Sequence, residues 1–586
     1  MRADSANRPG GIYYRIDWNG RPIVKPSWLG LSTHPANPNM GWQQEFAIRG
    51  TERTSFKQSW KPPFGEREAY EDHYNQLTLT LTTAKQAGEM LLIARVYDQG
   101  VAFRYAFPER LETQILEIHE ELTTFCLPTE SIAWFTPSAQ ARYESKPIRN
   151  WVQAAELPVT AELPGGTWVS LAEADAANYA RTRLQTTSTP GELKTALFGE
   201  VVETSPFATP WRVVLIGQRP GDLLQNNYLL LNLNSPSVIA NTDWIKPGLV
   251  MRESKLSTPN AKALVDFAVE QEIDYIHFDA GWYGYEYDAA SDATRVDVDP
   301  RRNPKKDLDL AKAIRYARSK GKQVILYVNH RALERHLDTL LPLYKRWGVS
   351  GVKFGFVHVG SHRWTVWLHE AVRKAAQHGL MVDIHDEYRP SGFSRTYPNL
   401  MTQEGILGNE GFPDATYNTI LPFTRFIAGA ADYTFCFNVE SLRPSRVKTT
   451  KAHQLALPVL YYSPWQFLYW YGSPEHYPNR QEISFWKGLP TTWQETRVVA
   501  GTPGESVTIA RRRKQTWYVG CITNTQARTI SLPLTFLTPG KTYLATLHED
   551  TADGQVRQRQ QNVSTKTTLT LPLRASGGAA IRIDEL

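Results

Sequence analysis

The strongest constraint in this chain is an alternation that runs from residue 244 to residue 384. Five short apolar runs, at 244–251, 275–280, 323–328, 351–357 and 380–384, are separated by stretches of helical periodicity at 260–272, 308–320, 332–347 and 364–378. Runs such as VILYV carry no polar alternation, which marks strands buried on both faces. Parallel neighbours need a crossover, and a helix supplies one. The length and repetition predict a (β/α)8 TIM barrel. An open doubly wound sheet is disfavoured, because no GxGxxG or phosphate-binding loop follows any of these strands.

The flanks have a different texture. Residues 1–240 hold short alternating segments, at 13–18, 76–82, 91–97, 102–107, 167–171 and 211–216, separated by Gly, Pro and Asn. That spacing predicts an antiparallel β-sandwich. Strand-like segments return at 506–510, 516–522, 529–532, 543–547, 567–571 and 579–583. The expected organisation is an N-terminal β-sandwich over 1–240, a barrel over 241–490 and a small C-terminal β-sandwich over 491–586. The chain has 586 residues, enough for each part to bury a core of its own.

A net charge of +6 calls for no nucleic-acid partner. The basic run 511–514 suits a solvated strand end. Three distant cysteines, Cys126, Cys436 and Cys521, give neither a disulfide framework nor a zinc spacing. No apolar run reaches 18 residues, so membrane insertion is not expected. The start of the chain has no apolar leader segment. The 18 Trp and 27 Tyr suit either sugar faces or aromatic-rich β-domains.

A barrel carries its active site at the C-terminal ends of its strands. Those ends offer Asp279, Trp282 and Tyr283 after the second strand, and Asn329 and His330 after the third. Lys353, His358 and Glu370 follow the fourth. His385, Asp386 and Glu387 follow the fifth, with Glu404 and Glu410 beyond. The set is rich in acids and lacks a GxSxG elbow, so a serine hydrolase is disfavoured. Paired carboxylates suit glycosidic cleavage, one as acid and one as base or nucleophile. They also suit Ca²⁺, which takes several oxygen ligands.

The run VDIHDEYRPSGFSRTYPNLMTQEGILGNE (382–410) resembles the core of glycoside hydrolase family 97. So do HFDAGWY (277–283), LPFTRFIAGAADYT (421–434), LPTTWQET (489–496) and ARRRKQTWYVG (510–520). The resemblance implies that Glu410 is the general acid. It implies a Ca²⁺ held by Asp386 and Glu404 with Glu410, and by Glu173 of LAEADAANY from the N-terminal domain. Asp279, Trp282, Lys353, His385 and Arg395 match the sugar-contacting surroundings, although Trp282 equally suits core packing. The resemblance also implies an oligosaccharide or other α-glycoside as substrate and a periplasmic setting.

One departure bears on mechanism. Retaining members resembled here carry a nucleophilic Asp in a V-K-x-D-F pattern, and this chain reads Val352-Lys353-Phe354-Gly355-Phe356. The expectation is therefore an inverting enzyme, with water in the space left by Gly355. The third strand ends without a carboxylate, so the base is expected to be Asp386 or Glu387, ahead of Glu334. The function expected is an exo-acting inverting α-glucosidase. The alternatives are an α-galactosidase or a non-catalytic sugar-binding relative.

Overall fold

The computed structural model describes residues 2–3, 10–34, 41–84, 86–111, 113–437 and 446–586. Its centre is a parallel sheet of seven strands: Gly248–Glu253, Tyr275–Phe278, Gln323–Asn329, Gly351–Gly355, Met381–Ile384, Leu400–Gln403 and Trp465–Leu468. They pair in chain order, and the last pairs with the first, Gly248 opposite Trp465. The eighth place is taken by an irregular stretch, 431–436. There Asp432 N donates to Gln403 O at 2.9 Å and Phe435 N to Phe467 O at 2.9 Å, which closes the barrel.

The four expected crossovers are helices: Thr258–Glu270, Leu310–Ser319, His330–Trp347 and His362–Gln377. Each has a side-chain cap at its N-terminus, from Ser257, Asp309, Asn329 and Ser361. Such caps satisfy amides that the first helical turn leaves without partners. Asn329 is both the last residue of the third strand and the cap of the next helix. The chain therefore passes from strand to helix there with no loop. Apolar faces of these helices, including Leu264, Phe267, Leu340 and Leu368, share one core with the outer face of the strands. Trp465 fills the interior. A Cβ on Gly351 would lie 2.4 Å from its ring, so glycine is required at that position.

The N-terminal part has antiparallel sheets, the largest of ten and seven strands, around Val24, Leu81, Phe103, Phe125 and Val169. The C-terminal part is a six-stranded antiparallel sheet with a two-stranded companion. All the strand-like flank segments read from the sequence fall on strands to within one residue. Many strands escape that reading, Arg21–Trp28, Val159–Glu162, Thr182–Thr186 and Glu192–Leu197 among them. Phe46–Trp60 and Val556–Val563 are largely exposed and carry few apolar residues, so they show no alternation. Glu495–Thr502, the edge strand of the C-terminal sheet, is another.

The expected solvated basic run is corrected at its first residue. Arg511 is fully buried. It donates to Val459 O at 2.6 Å and pairs with Glu66 of the N-terminal part at 2.9 Å. Among the described residues no helix is long and apolar enough to cross a membrane.

Candidate active site

At the C-terminal ends of the strands lies a cavity of about 400 Å³, a size suited to a small ligand. Its polar walls come from Asp279, Glu286, Lys353, Asp386, Glu404 and Glu410. The backbone around it is strained. Phe356, Asp386, Phe412, Thr434 and Tyr469 all have φ between +47° and +61°. Non-glycine residues adopt that region at a cost, and such residues cluster at functional sites. Phe356 follows the fourth strand and places a ring, 39% exposed, at the mouth. The ring centroid lies 4.7 Å from that of His385.

Glu410 sits in a short turn, Asn409–Gly411, near the seventh strand. Asn409 fixes that turn by donating from its backbone N to Tyr433 O at 3.0 Å and from its side chain to Gln454 at 2.8 Å. Trp470, two residues past the seventh strand, donates from Nε1 to Glu410 Oε1 at 2.7 Å. The same indole is covered by the Arg252 guanidinium, 4.4 Å from the ring centre. Arg252 in turn binds Asp279 at 2.5 Å. Burial opposes charge on Asp279, but Arg252 outweighs it and holds the carboxyl below the usual range. Glu410 is therefore oriented by an indole, whereas Asp279 is committed to an arginine.

The floor is built on Lys353. Its Nζ lies 2.6 Å from Asp432, 3.0 Å from Glu404 and 3.1 Å from Asp383. One buried ammonium does not balance three carboxylates. Burial pushes Asp383 and Asp432 up. Glu404 resists the same burial and is held low by His385 and Lys353. Its Oε2 accepts from Asp386 N at 3.0 Å and from Gln140 Nε2 at 3.4 Å. His385 lies between two acids, with Nδ1 2.9 Å from Asp386 and Nε2 3.6 Å from Glu404. Burial opposes the charged ring, yet Glu404 and Asp386 push the imidazole up to about 9.

His385, Asp386 and Glu404 form a group that could hold a metal ion. Calcium takes six to eight oxygens, and this group supplies two carboxylates and one nitrogen. The wider set expected from the resemblance is not assembled. Glu410 lies outside the group. Glu173 is buried under Arg212 at 2.6 Å and Arg389, and Thr182 also donates to it. It lines a different crevice. Its charge is already matched, so it is removed from the metal set.

Three further expectations are corrected. Glu387 does not face the cavity. Its oxygens accept the backbone amides of Ala139 at 3.0 Å and Gln140 at 3.3 Å, which pins the fifth strand's loop to the N-terminal part. Trp282 is fully buried, packs on Tyr283, Tyr344 and Trp347, and donates to Tyr327 O at 2.8 Å, so it is core. Arg395 donates to Leu231 O at 3.1 Å and covers Trp60, in a separate cleft.

The room expected at Gly355 is also occupied. A Cβ built there would meet Tyr327 Cζ and Oη at 2.2 Å. His330, Glu334 and His358 gather as a second group that could hold a metal ion. Glu370 pairs with Arg373 at 3.3 Å.

The sequence reading missed Glu286, Arg252, Tyr327 and Trp470, all of which line the cavity. Glu286 lies three residues beyond Tyr283, where the strand-end survey stopped. Extending that survey through the GYEY stretch would have found it.

Three family profiles match the chain in order. They are glycosyl-hydrolase 97 N-terminal over residues 2–236, glycoside hydrolase 97 over 244–406, and glycosyl-hydrolase 97 C-terminal, oligomerisation, over 492–584. A probable retaining α-galactosidase of Streptomyces bingchenggensis is 30% identical over 97% of this chain and 88% of its own length. A retaining α-galactosidase of Bacteroides thetaiotaomicron is 26% identical over 98% of this chain and 94% of its own. A family 97 enzyme from Pseudoalteromonas sp. strain K8, solved in complex with acarbose, superimposes with a TM-score of 0.91 at 26% identity. It covers all of this chain and 98% of its own. The chain belongs to glycoside hydrolase family 97 and is a glycosidase.

Proposed function

We propose that the protein is an exo-acting α-glycosidase that removes terminal α-galactosyl residues. The observation that carries the reading is Glu410, held by Trp470 at the wall of an acid-lined cavity on the catalytic face of the barrel. Glu410 protonates the glycosidic oxygen as the bond breaks. Arg252, Asp279 and Lys353 supply charged hydrogen-bonding groups for sugar hydroxyls. The galactoside preference rests on the two curated relatives, both α-galactosidases that align over almost the whole chain. The α-glucosidase expectation is set aside on that ground. A divalent cation, calcium by the family resemblance, would be held by Asp386 and Glu404 and would add positive charge to the floor of the cavity.

Hydrolysis of 4-nitrophenyl α-galactoside and α-glucoside, each with and without EDTA, tests this. The expected result is a higher kcat/KM on the galactoside. Preference for the glucoside would restore the first expectation. No turnover of either, with sugar binding intact, would favour a non-catalytic sugar-binding protein.

A further inference from the structure

Glu410 needs a second group to deliver the attacking oxygen, and most carboxylates of the cavity are unfit for it. Asp279 is clamped by Arg252 at 2.5 Å. Glu404 accepts from Lys353 and from Asp386 N. Asp386 lies 2.9 Å from His385 Nδ1 and is one of the residues that would hold the divalent cation. A carboxylate held by a cation gives up that pairing if it takes a proton, so each of these is a poor base. Glu387 is tied to the Ala139 and Gln140 amides. Gly355 carries no side chain, and Tyr327 covers it.

Glu286 differs in every respect. It is half-buried and lines the same cavity. Its Oε2 accepts from Asn329 Nδ2 at 3.1 Å, and the buried Tyr327 hydroxyl lies beside it. Both of these neighbours are neutral. Burial pushes its carboxyl above the usual range, which favours proton uptake. Tyr327 and Asn329 belong to the third barrel strand, and Trp470, which holds Glu410, follows the seventh. Two strands separate these in one direction round the barrel. The two carboxylates therefore reach the cavity from well-separated parts of its wall.

We propose that Glu286 is the general base, taking a proton from the water that attacks the anomeric carbon on the face away from Glu410. The proposal rests on the α-glycosidase reading above. The new bond joins the water oxygen to the anomeric carbon. The bond to the glycosidic oxygen breaks, and its electron pair takes the proton of Glu410. Glu286 ends protonated, Glu410 ends ionised, and exchange with solvent resets both. Attack from the opposite face inverts the centre, so an α-glycoside releases a β-sugar first.

Proton NMR during hydrolysis of 4-nitrophenyl α-galactoside reads the first anomer directly. The β-anomer is expected, and the α-anomer would overturn the proposal while leaving the glycosidase reading intact. Glu286→Gln should lower kcat by ~10²–10⁴-fold with KM little changed and the thermal midpoint close to wild type. Azide added to Glu286→Ala should restore turnover and give the β-glycosyl azide. Near-normal kcat in Glu286→Gln, or azide rescue of Asp386→Ala in place of Glu286→Ala, would overturn it. If the wild type turns over no α-glycoside, the glycosidase reading fails and this proposal fails with it.

Discussion

At the scale of single residues, the site shows what composition at strand ends can and cannot reveal. Glu410 and Glu404 are placed in the cavity as the sequence suggests, because they follow the sixth strand closely. Asp386 and Glu387 are adjacent in sequence and go different ways. Asp386 adopts φ +61° and lines the cavity, while Glu387 points to Ala139 and Gln140. No local pattern decides which of two neighbouring acids turns inward, since the partner amides lie about 250 residues away in sequence. Glu410→Gln should lower kcat by ~10²–10⁴-fold with the fold intact, as read from steady-state kinetics and circular dichroism. Trp470→Phe removes the Nε1 donor together with part of the ring that Arg252 covers, and a smaller loss in kcat is expected. Restoring an acid at Gly355 is a different matter. Its Cβ would overlap Tyr327, a fully buried ring. Gly355→Asp should destabilise by about 1–3 kcal/mol, seen as a lower urea midpoint. A variant as stable as wild type would show that Tyr327 moves freely.

Elements were the most legible scale, and the reason is periodicity. All five apolar runs are barrel strands and all four amphipathic stretches are helices, with ends shifted by a few residues. The eighth position was not legible. Its stretch, 431–436, pairs irregularly and holds Thr434 at φ +61°, so no strand pattern marks it. That irregularity serves the site, because Asp432 of this stretch binds Lys353 at 2.6 Å. The barrel interior sets a second constraint that periodicity does not reveal. Trp465 reaches across to Gly351, where a Cβ would also lie 2.8 Å from Met381 O. Gly351→Ala should therefore cost about 1–3 kcal/mol and lower the melting temperature. An unchanged melting temperature would show that Trp465 can repack.

At the scale of the whole molecule, domains are held by buried charge where the resemblance implied a metal. Arg389 of the barrel reaches Glu156 at 2.8 Å and Glu173, and Arg212 completes the pairing from the N-terminal part. Removing one partner leaves a buried charge uncompensated, at a cost of about 3–5 kcal/mol. Glu173→Gln should thus lower the melting temperature equally with calcium or with EDTA. A loss seen only with calcium present would return Glu173 to the metal set.

The other junction turns on His453. The barrel helix Lys451–Leu460 lies against the C-terminal sheet so closely that a Cβ on Gly578 would meet His453 Cα at 2.7 Å. His453 Nε2 lies 3.0 Å from Asn418 Nδ2, and Nδ1 lies 3.2 Å from Gly577 O. Tyr433 donates to Asn418 Oδ1 at 2.5 Å, which fixes the amide orientation. Nε2 must then accept, so only the neutral ring fits. Burial accordingly lowers this imidazole to about 3. The unfolded chain takes up the proton near pH 6.5, and the folded chain takes it up only near 3. This contribution is complete above pH 6.5 and is lost as pH falls toward 3. By pH 5 the loss amounts to about 2 kcal/mol. Between pH 7 and pH 5, wild type should therefore lose about 2 kcal/mol more urea stability than His453→Gln. Parallel pH profiles for the two proteins would show that His453 carries no such linkage.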